Sequence, residues 1–340
     1  MENIEHELVD ALQPIRGMAL AVCINHFFEM GIYDHLDRQK MNLNDLSTAL
    51  GLEKRRLDGF LHYLKNEDIL DKQGGVFSLT NRARSLHKFK AWYTMLVGGY
   101  AQTYMQVAEC MDGTGKWATR DVGKVGIGSC GISHYDAIPL TRRLMEKTAR
   151  PAKTLLDLGC GNALYLVEFC KQVPGLSAYG VEPSENACRH AETIIVKEGL
   201  QDRIKILNKD INSFLESDLD CKPDLLVLGF ILQEILGQEG EEGVVRFLTT
   251  VSERYPEMNL IVIEVDNQID NPTIMGHRLA KSYYNPYYLI HYFTPQRLET
   301  DQWWQNLFTK CGLEIVASDY PDNGVDSTRL ELGYLLRPRS

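Results

Sequence analysis

The stretch "LLDLGCGNALYL", Leu155 to Leu166, decides the fold. An apolar run ends in Asp157, two glycines follow with one residue between them, and the next residues can open a helix. A strand that passes into a helix through so bare a turn lets its backbone approach something bound there, because glycine has no Cβ in the way. The nucleotide-binding fingerprint would be G-x-G-x-x-G, whereas this turn reads G-C-G-N-A-L, without the third glycine. Two more acids stand at corresponding places downstream, Glu182 in "YGVEP" and Asp210 in "LNKDINSF". Glu182 is placed to accept hydrogen bonds from two ribose hydroxyls, and Asp210 to meet an adenine amino group. Three acids at consecutive strand ends suit a nucleoside that carries a positive charge, and they repel a pyrophosphate. Asp157 taken alone reads equally well as a cap for the helix that follows.

Outward from this turn, short apolar runs alternate with amphipathic stretches: "TLLDLG", "SAYGVEP", "IKILNKD", "DLLVLGFI" and "NLIVIEVD". That order predicts an α/β domain over 151–340 with a parallel sheet covered on both faces. The closing pair, "LEIVASDY" and "RLELGYLLRP", leaves no room for a helix and predicts an antiparallel hairpin at one edge.

The remainder of the 340 residues leaves space for a second domain. Residues 5–37 carry apolar positions at helical spacing, broken at Met30-Gly31. Residues 41–86 then read helix, Gly51 turn, helix and two short strands around Gly74-Gly75, the order of a winged helix-turn-helix, here assigned to 1–88. Lys54, Arg55 and Arg56 would serve DNA binding; a net charge of −10 and a pI near 5.4 favour an interaction or dimerisation module and no nucleic-acid partner. Residues 89–150 are expected to be a helical linker and pocket lid, and their glycine-rich part, 112–131, shows no clear period. Eight cysteines without a C-x-x-C pair, a charged N-terminus and no apolar run of about 20 residues predict a cytoplasmic protein with reduced thiols and no membrane partner.

With "LDLGCG", "GVEP" and "KDI" in place, residues 151–338 resemble the class I S-adenosylmethionine-dependent methyltransferases, with their Rossmann-like sheet. With the segment in front, the whole chain resembles the small-molecule O-methyltransferases, in which that segment mediates homodimerisation and helps close the substrate pocket. The resemblance implies S-adenosylmethionine as cofactor and S-adenosylhomocysteine as product. It implies Gly159 and Gly161 beside the methionine part, Glu182 on the ribose, Asp210 and Ile211 on the adenine, and Asp157, Gly229 and Phe230 completing the surroundings.

Many relatives of this architecture carry a histidine after the fourth strand that acts as base toward a phenol. Here "FILQEILGQEG" puts Gln233 at that position and Glu234 beside it. A glutamine takes no proton, which argues against phenol methylation and weakens a histidine-held metal, so no metal is expected. His291 in "LIHYFTP" is a single candidate ligand, and either the Glu234 carboxylate or His291 would take the proton from the acceptor. Glu264 and Asp266 in "VIEVDN", with Tyr283 and Tyr287 in "KSYYNPYY", offer carboxylates beside aromatic faces, which suit a guanidinium. The same residues read equally as backbone caps and interface lining. "ALQPIRGMALA" and "LQEILGQ" are similar to a bacterial subfamily named for 2-ketoarginine methyltransferase, which includes arginine N-methyltransferases of natural-product pathways. The acceptor is then a carbon beside a keto group or a guanidino nitrogen. A phenolic O-methyltransferase, a cofactor-binding protein without activity and a DNA-binding regulator are the other readings.

Overall fold

Asn42 opens the first half of the molecule by capping the helix Leu43–Leu50, its side chain accepting from the Asp45 N–H at 3.0 Å. Gly51, at φ +65°, closes that helix in a conformation that penalises other residues. The next helix, Lys54–Asn66, starts on Glu53, whose carboxylate accepts from the amides of Arg55 and Arg56 at 2.9 and 2.8 Å. Strands β1 (Met41–Asn42), β2 (Leu70–Gln73) and β3 (Val76–Leu79) form an antiparallel sheet in the order β1-β3-β2. Its hairpin turns on Gly74 and Gly75, both at positive φ, which matches the twist of the strands. Leu46, Leu61, Leu64 and Phe77 fill the core under these elements. The computed structural model describes residues 4–217 and 222–339.

The chain divides into two compact units: one runs to Gln102 and includes Arg120–Gly131, the other comprises Thr103–Thr119 and the chain from Ile132 onward. The boundaries expected from sequence, 88 and 150, are thus not those of the units, and the segment between them is shared. Its glycine-rich part forms a helix, Val122–Ser133. A Cβ on Gly128 would stand 2.5 Å from the Met95 backbone, and one on Gly131 would stand 2.7 Å from the Ala91 side chain. These glycines let two helical segments touch through their backbones. Contact of that kind has no hydrophobic period, so the pattern hid the helix.

In the second unit β4 (Thr154–Leu158), β5 (Ser177–Glu182), β6 (Ile204–Asn208), β7 (Leu225–Gly229), β8 (Asn259–Val265), β9 (Leu313–Asp319) and β10 (Glu331–Pro338) form one sheet. Its order is β6-β5-β4-β7-β8-β10-β9, with the first five parallel and the last two antiparallel. Leu156 and Leu158 face one core and Leu155 the other, so β4 is buried on both faces. The edge strand β9 instead alternates buried with exposed positions. From β4 the chain winds outward through β5 to β6 and then returns to β7 beside β4. The strand order reverses there, and ligands bind beyond the carboxyl ends at such a point. Among the described residues no helix is long and apolar enough to cross a membrane, and the seven described cysteines are free thiols.

Candidate functional site

The turn after β4 is pulled down onto β5. The amides of Gly159 and Cys160 both donate to the Val181 carbonyl, at 2.8 and 3.1 Å, and Gly161 N–H donates to Glu182 Oε2 at 3.0 Å. The Glu182 carboxylate also accepts from Ser184 N–H at 2.8 Å. All three amides are engaged within the protein, so the turn offers no cradle of N–H donors to a pyrophosphate. Gly180 makes this possible: a Cβ there would meet Cys160 Sγ at 2.5 Å. The helix Leu164–Gln172 opens on Ala163, a non-glycine residue at φ +60°. The third glycine of the fingerprint would fall at Leu164, which is already helical here.

Burial, and then the neighbouring Glu182, push the Asp157 carboxyl up to about 7. The Asp157 carboxyl beside Glu182 thus favours a hydrogen-bond donor or a positive charge, which fits a sulfonium nucleoside better than a phosphate ester. Asp210 follows β6 and caps the helix Ile211–Leu215, accepting from Ser213 N–H at 2.9 Å and from the Ser213 hydroxyl. Ile211 packs against the core beneath it. Gly229 ends β7, and Phe230 turns away at φ +59° with its N–H on the Ile263 carbonyl. The residues that the sequence singled out for the cofactor therefore share one edge of the sheet.

The acceptor side has a different construction. Glu264 is fully buried at the end of β8, and its Oε1 accepts from the amides of Leu232 and Gln233 at 3.0 and 3.3 Å. It caps the helix Leu232–Arg254, and burial pushes its carboxyl up to about 8. Asp266 is engaged likewise, Oδ1 with Asp301 N–H at 2.9 Å and Oδ2 with the Gln268 amide at 3.0 Å. Both acids expected to meet a guanidinium thus bind the frame, Asp266 through both oxygens and Glu264 through one, its Oε2 being buried without a partner. The Gln233 amide bonds the Tyr287 hydroxyl at 3.3 Å, and its Oε1 is buried without a partner. Glu234 accepts from Gln296 Nε2 at 3.0 Å.

His291 Nδ1 lies 2.7 Å from the Tyr287 carbonyl. A carbonyl only accepts, so the Nδ1 proton is fixed there and Nε2 is the basic nitrogen. His291, Gln296, Tyr288 and Tyr292 line a cavity of about 390 Å³. Rings at 4.1 Å (Tyr287 with His291) and 5.9 Å (Tyr283 with Tyr287) run away from it in a row.

Sequence reading missed Asp136, Asp326 and Glu331, which are 7%, 5% and 4% exposed and lie around Tyr283 and Tyr284. They come from a helix start, a loop and a strand start far apart in the chain, and no spacing links them. Among the described residues no group of three or more His, Cys, Asp or Glu could hold a metal ion.

No family model matches the chain. A 2-ketoarginine methyltransferase of Streptomyces arginensis is 40% identical over 339 residues, 99% of this chain and 98% of that protein. An indolepyruvate C-methyltransferase of Streptomyces griseus is 24% identical over 243 residues, 69% of each chain. In fold the chain is similar to human N-acetylserotonin methyltransferase in complex with SAM, with a TM-score of 0.70 at 12% identity, covering 100% of this chain and 99% of that one. The class I sheet, its acid-lined glycine turn and the full-length likeness lead to one conclusion: the chain is an S-adenosylmethionine-dependent methyltransferase and belongs to the 2-ketoarginine methyltransferase family.

Proposed function

We propose that this enzyme methylates the carbon beside the keto group of an α-keto acid with a guanidino tail, 2-ketoarginine being the type. The observation that carries this reading is the 40% identity to a 2-ketoarginine methyltransferase along the whole chain. The site's chemistry supports it, since Gln233 stands where the phenol enzymes carry their histidine base and cannot itself take a proton.

When bound, S-adenosylmethionine supplies an electrophilic methyl group; Asp157, Glu182 and Asp210 are the side chains that would hold it. The rest falls to the chain's own residues. A carbon beside a carbonyl gives up a proton to a nearby base, and Glu234, fixed by Gln296, takes it. Gln233 is tied to Tyr287 through one amide atom, and its other, buried amide atom addresses the acceptor. His291, with Nε2 basic, lines the cavity of about 390 Å³ together with Gln296, the partner of Glu234, and positions the keto acid. Most of the rate comes from holding carbon and methyl in line.

The enzyme works as a cytoplasmic homodimer in this reading. Ile4, Leu8, Leu12, Ile15 and Met18 form an exposed apolar stripe at helical spacing on the helix Ile4–Glu29, a face that a second copy would cover.

Incubation with labelled cofactor and 2-ketoarginine, arginine or a simple phenol tests the proposal. Mass spectrometry and NMR should find one methyl on the carbon beside the keto group. Transfer to an arginine nitrogen or a phenol oxygen instead would overturn it. Light scattering at micromolar concentration should give a dimer mass, and Leu8→Glu with Leu12→Glu should give a monomer.

A further inference from the structure

Glu331 is the first residue of β10 and pairs with Val265, the last residue of β8, so it stands at the same sheet edge as the cofactor turn. It is hydrogen-bonded to Asp136, and its Oε1 is buried with no partner. Asp136 starts the helix Ala137–Met145 and takes the Ala137 N–H at 2.6 Å. Asp326 accepts from Thr328 N–H and Oγ1 at 2.8 and 2.6 Å, and from the Tyr284 hydroxyl. The Tyr283 ring lies 4.9 Å from that of Tyr284. Burial, then charge from Tyr287, Asp136, Glu331 and Asp326, raises the Tyr283 phenol well above its ordinary value.

Three carboxyl groups thus share a dry site, and among the described residues no lysine, arginine or histidine pairs with any of them. Burying ionised acids without a cation is strongly unfavourable. Here the cost is reduced by protonation: burial, then Asp136 and Asp326, push Glu331 well up, and burial, then Asp326, brings Asp136 to about 7. A planar cation with several donors would restore the charge of such a group. Tyr283 supplies the aromatic face on which a guanidinium stacks. The row of rings from Tyr283 through Tyr287 to His291 joins this cluster to the cavity where the keto end is placed.

We propose that Asp136, Asp326, Glu331 and the Tyr283 ring form the subsite that receives the guanidinium end of the acceptor. The assignment rests on the reading of the acceptor as a guanidino keto acid, and it moves recognition of the cation from Glu264 and Asp266 to a different set of acids.

The test compares wild type with Glu331→Gln and Asp136→Asn on two acceptors, 2-ketoarginine and 2-oxohexanoate, which has no cationic tail. Each substitution keeps shape and removes only the ionisable group. For 2-ketoarginine, KM should rise about 30-fold or more in either variant, with kcat within about threefold, as befits a contact made equally before and during reaction. KM for 2-oxohexanoate should stay within about twofold. An equal rise for both acceptors, or no rise for 2-ketoarginine, overturns the subsite.

If the wild type methylates neither acceptor, the acceptor reading fails, and calorimetry with methylguanidinium decides the subsite separately. Heat from wild type and none from Glu331→Gln supports it, and equal or absent heat from both overturns it. Tyr283→Leu is the second variant should either amide fail to fold; it should weaken methylguanidinium about tenfold.

Discussion

Asp157, Glu182 and Asp210 sit at successive strand ends, and two of them grip the backbone of the turns beside them; Asp136, Asp326 and Glu331 come from remote segments, and although Asp136 and Asp326 each hold a neighbouring amide, what brings the three together is packing around two tyrosines. The first set is an acid edge organised by chain neighbours. The second is an acid pocket organised by tertiary packing. In the first, amides hold the charge, and Glu182 needs no cation to stay in place. In the second, burial and mutual proximity push Glu331 and Asp136 up. In the proposals above, the edge is the cofactor platform and the cluster is the part that sets acceptor choice.

The largest expected effect falls on the platform. Glu182→Ala removes the acceptor for Gly161 and Ser184 as well as the expected ribose contacts, so calorimetry should show S-adenosylmethionine binding weakened about 10³-fold, some 4 kcal/mol. Unchanged binding would break the division between platform and pocket. Next, Glu234→Gln should lower kcat about 10²-fold, because the amide cannot take the proton. Cofactor affinity, measured on the same variant, should stay constant.

Glu264 gives a smaller effect with a clear sign. Its carboxyl is raised from an ordinary 4.5 to about 8. The folded state thus binds a proton that the unfolded chain releases, and this contribution is complete below about 4.5 and is lost as pH rises through about 8. Glu264→Gln keeps an oxygen for Leu232 and Gln233 but has no charge to form. Thermal melts should match wild type near pH 4.5 and exceed it by a few °C at pH 8. A variant less stable at pH 8 would show that the ionised carboxylate is needed as a cap. The smallest effect belongs to Ala163→Gly. Relief of the left-handed backbone, about 1 kcal/mol, is offset by a lost buried methyl, about 0.8 kcal/mol. Chemical denaturation should place the variant within about 1 kcal/mol of wild type.

The same contrast explains what the sequence made legible. "LLDLGCG" to Glu182 is a local grammar of strand, turn and acid, and it predicted the sheet, its edge hairpin and the cofactor. The carboxylate-and-tyrosine chemistry around "KSYYNPYY" was also legible as a type. Its particular acids were not, because Glu264 and Asp266 lie on the strand next to the site and turned out to hold amides, while Glu331 sits across the β8–β10 register from Val265. Register between antiparallel strands is a tertiary fact. The helix Val122–Ser133 escaped for a related reason, since Gly128 and Gly131 report a backbone contact that no hydrophobic pattern encodes.

Gly180 has a practical consequence for handling the enzyme. Because it lacks a side chain, the Cys160 thiol tucks against β5, 8% exposed, and burial together with Asp157 and Glu182 raises it well beyond the ordinary thiol range. Alkylating reagents and peroxide attack the thiolate, and this sulfur forms almost none near neutral pH. A cysteine inside the cofactor turn is therefore no weak point in air. A cysteine-directed label will find its target elsewhere, among the described thiols first at the more exposed Cys23 and Cys110.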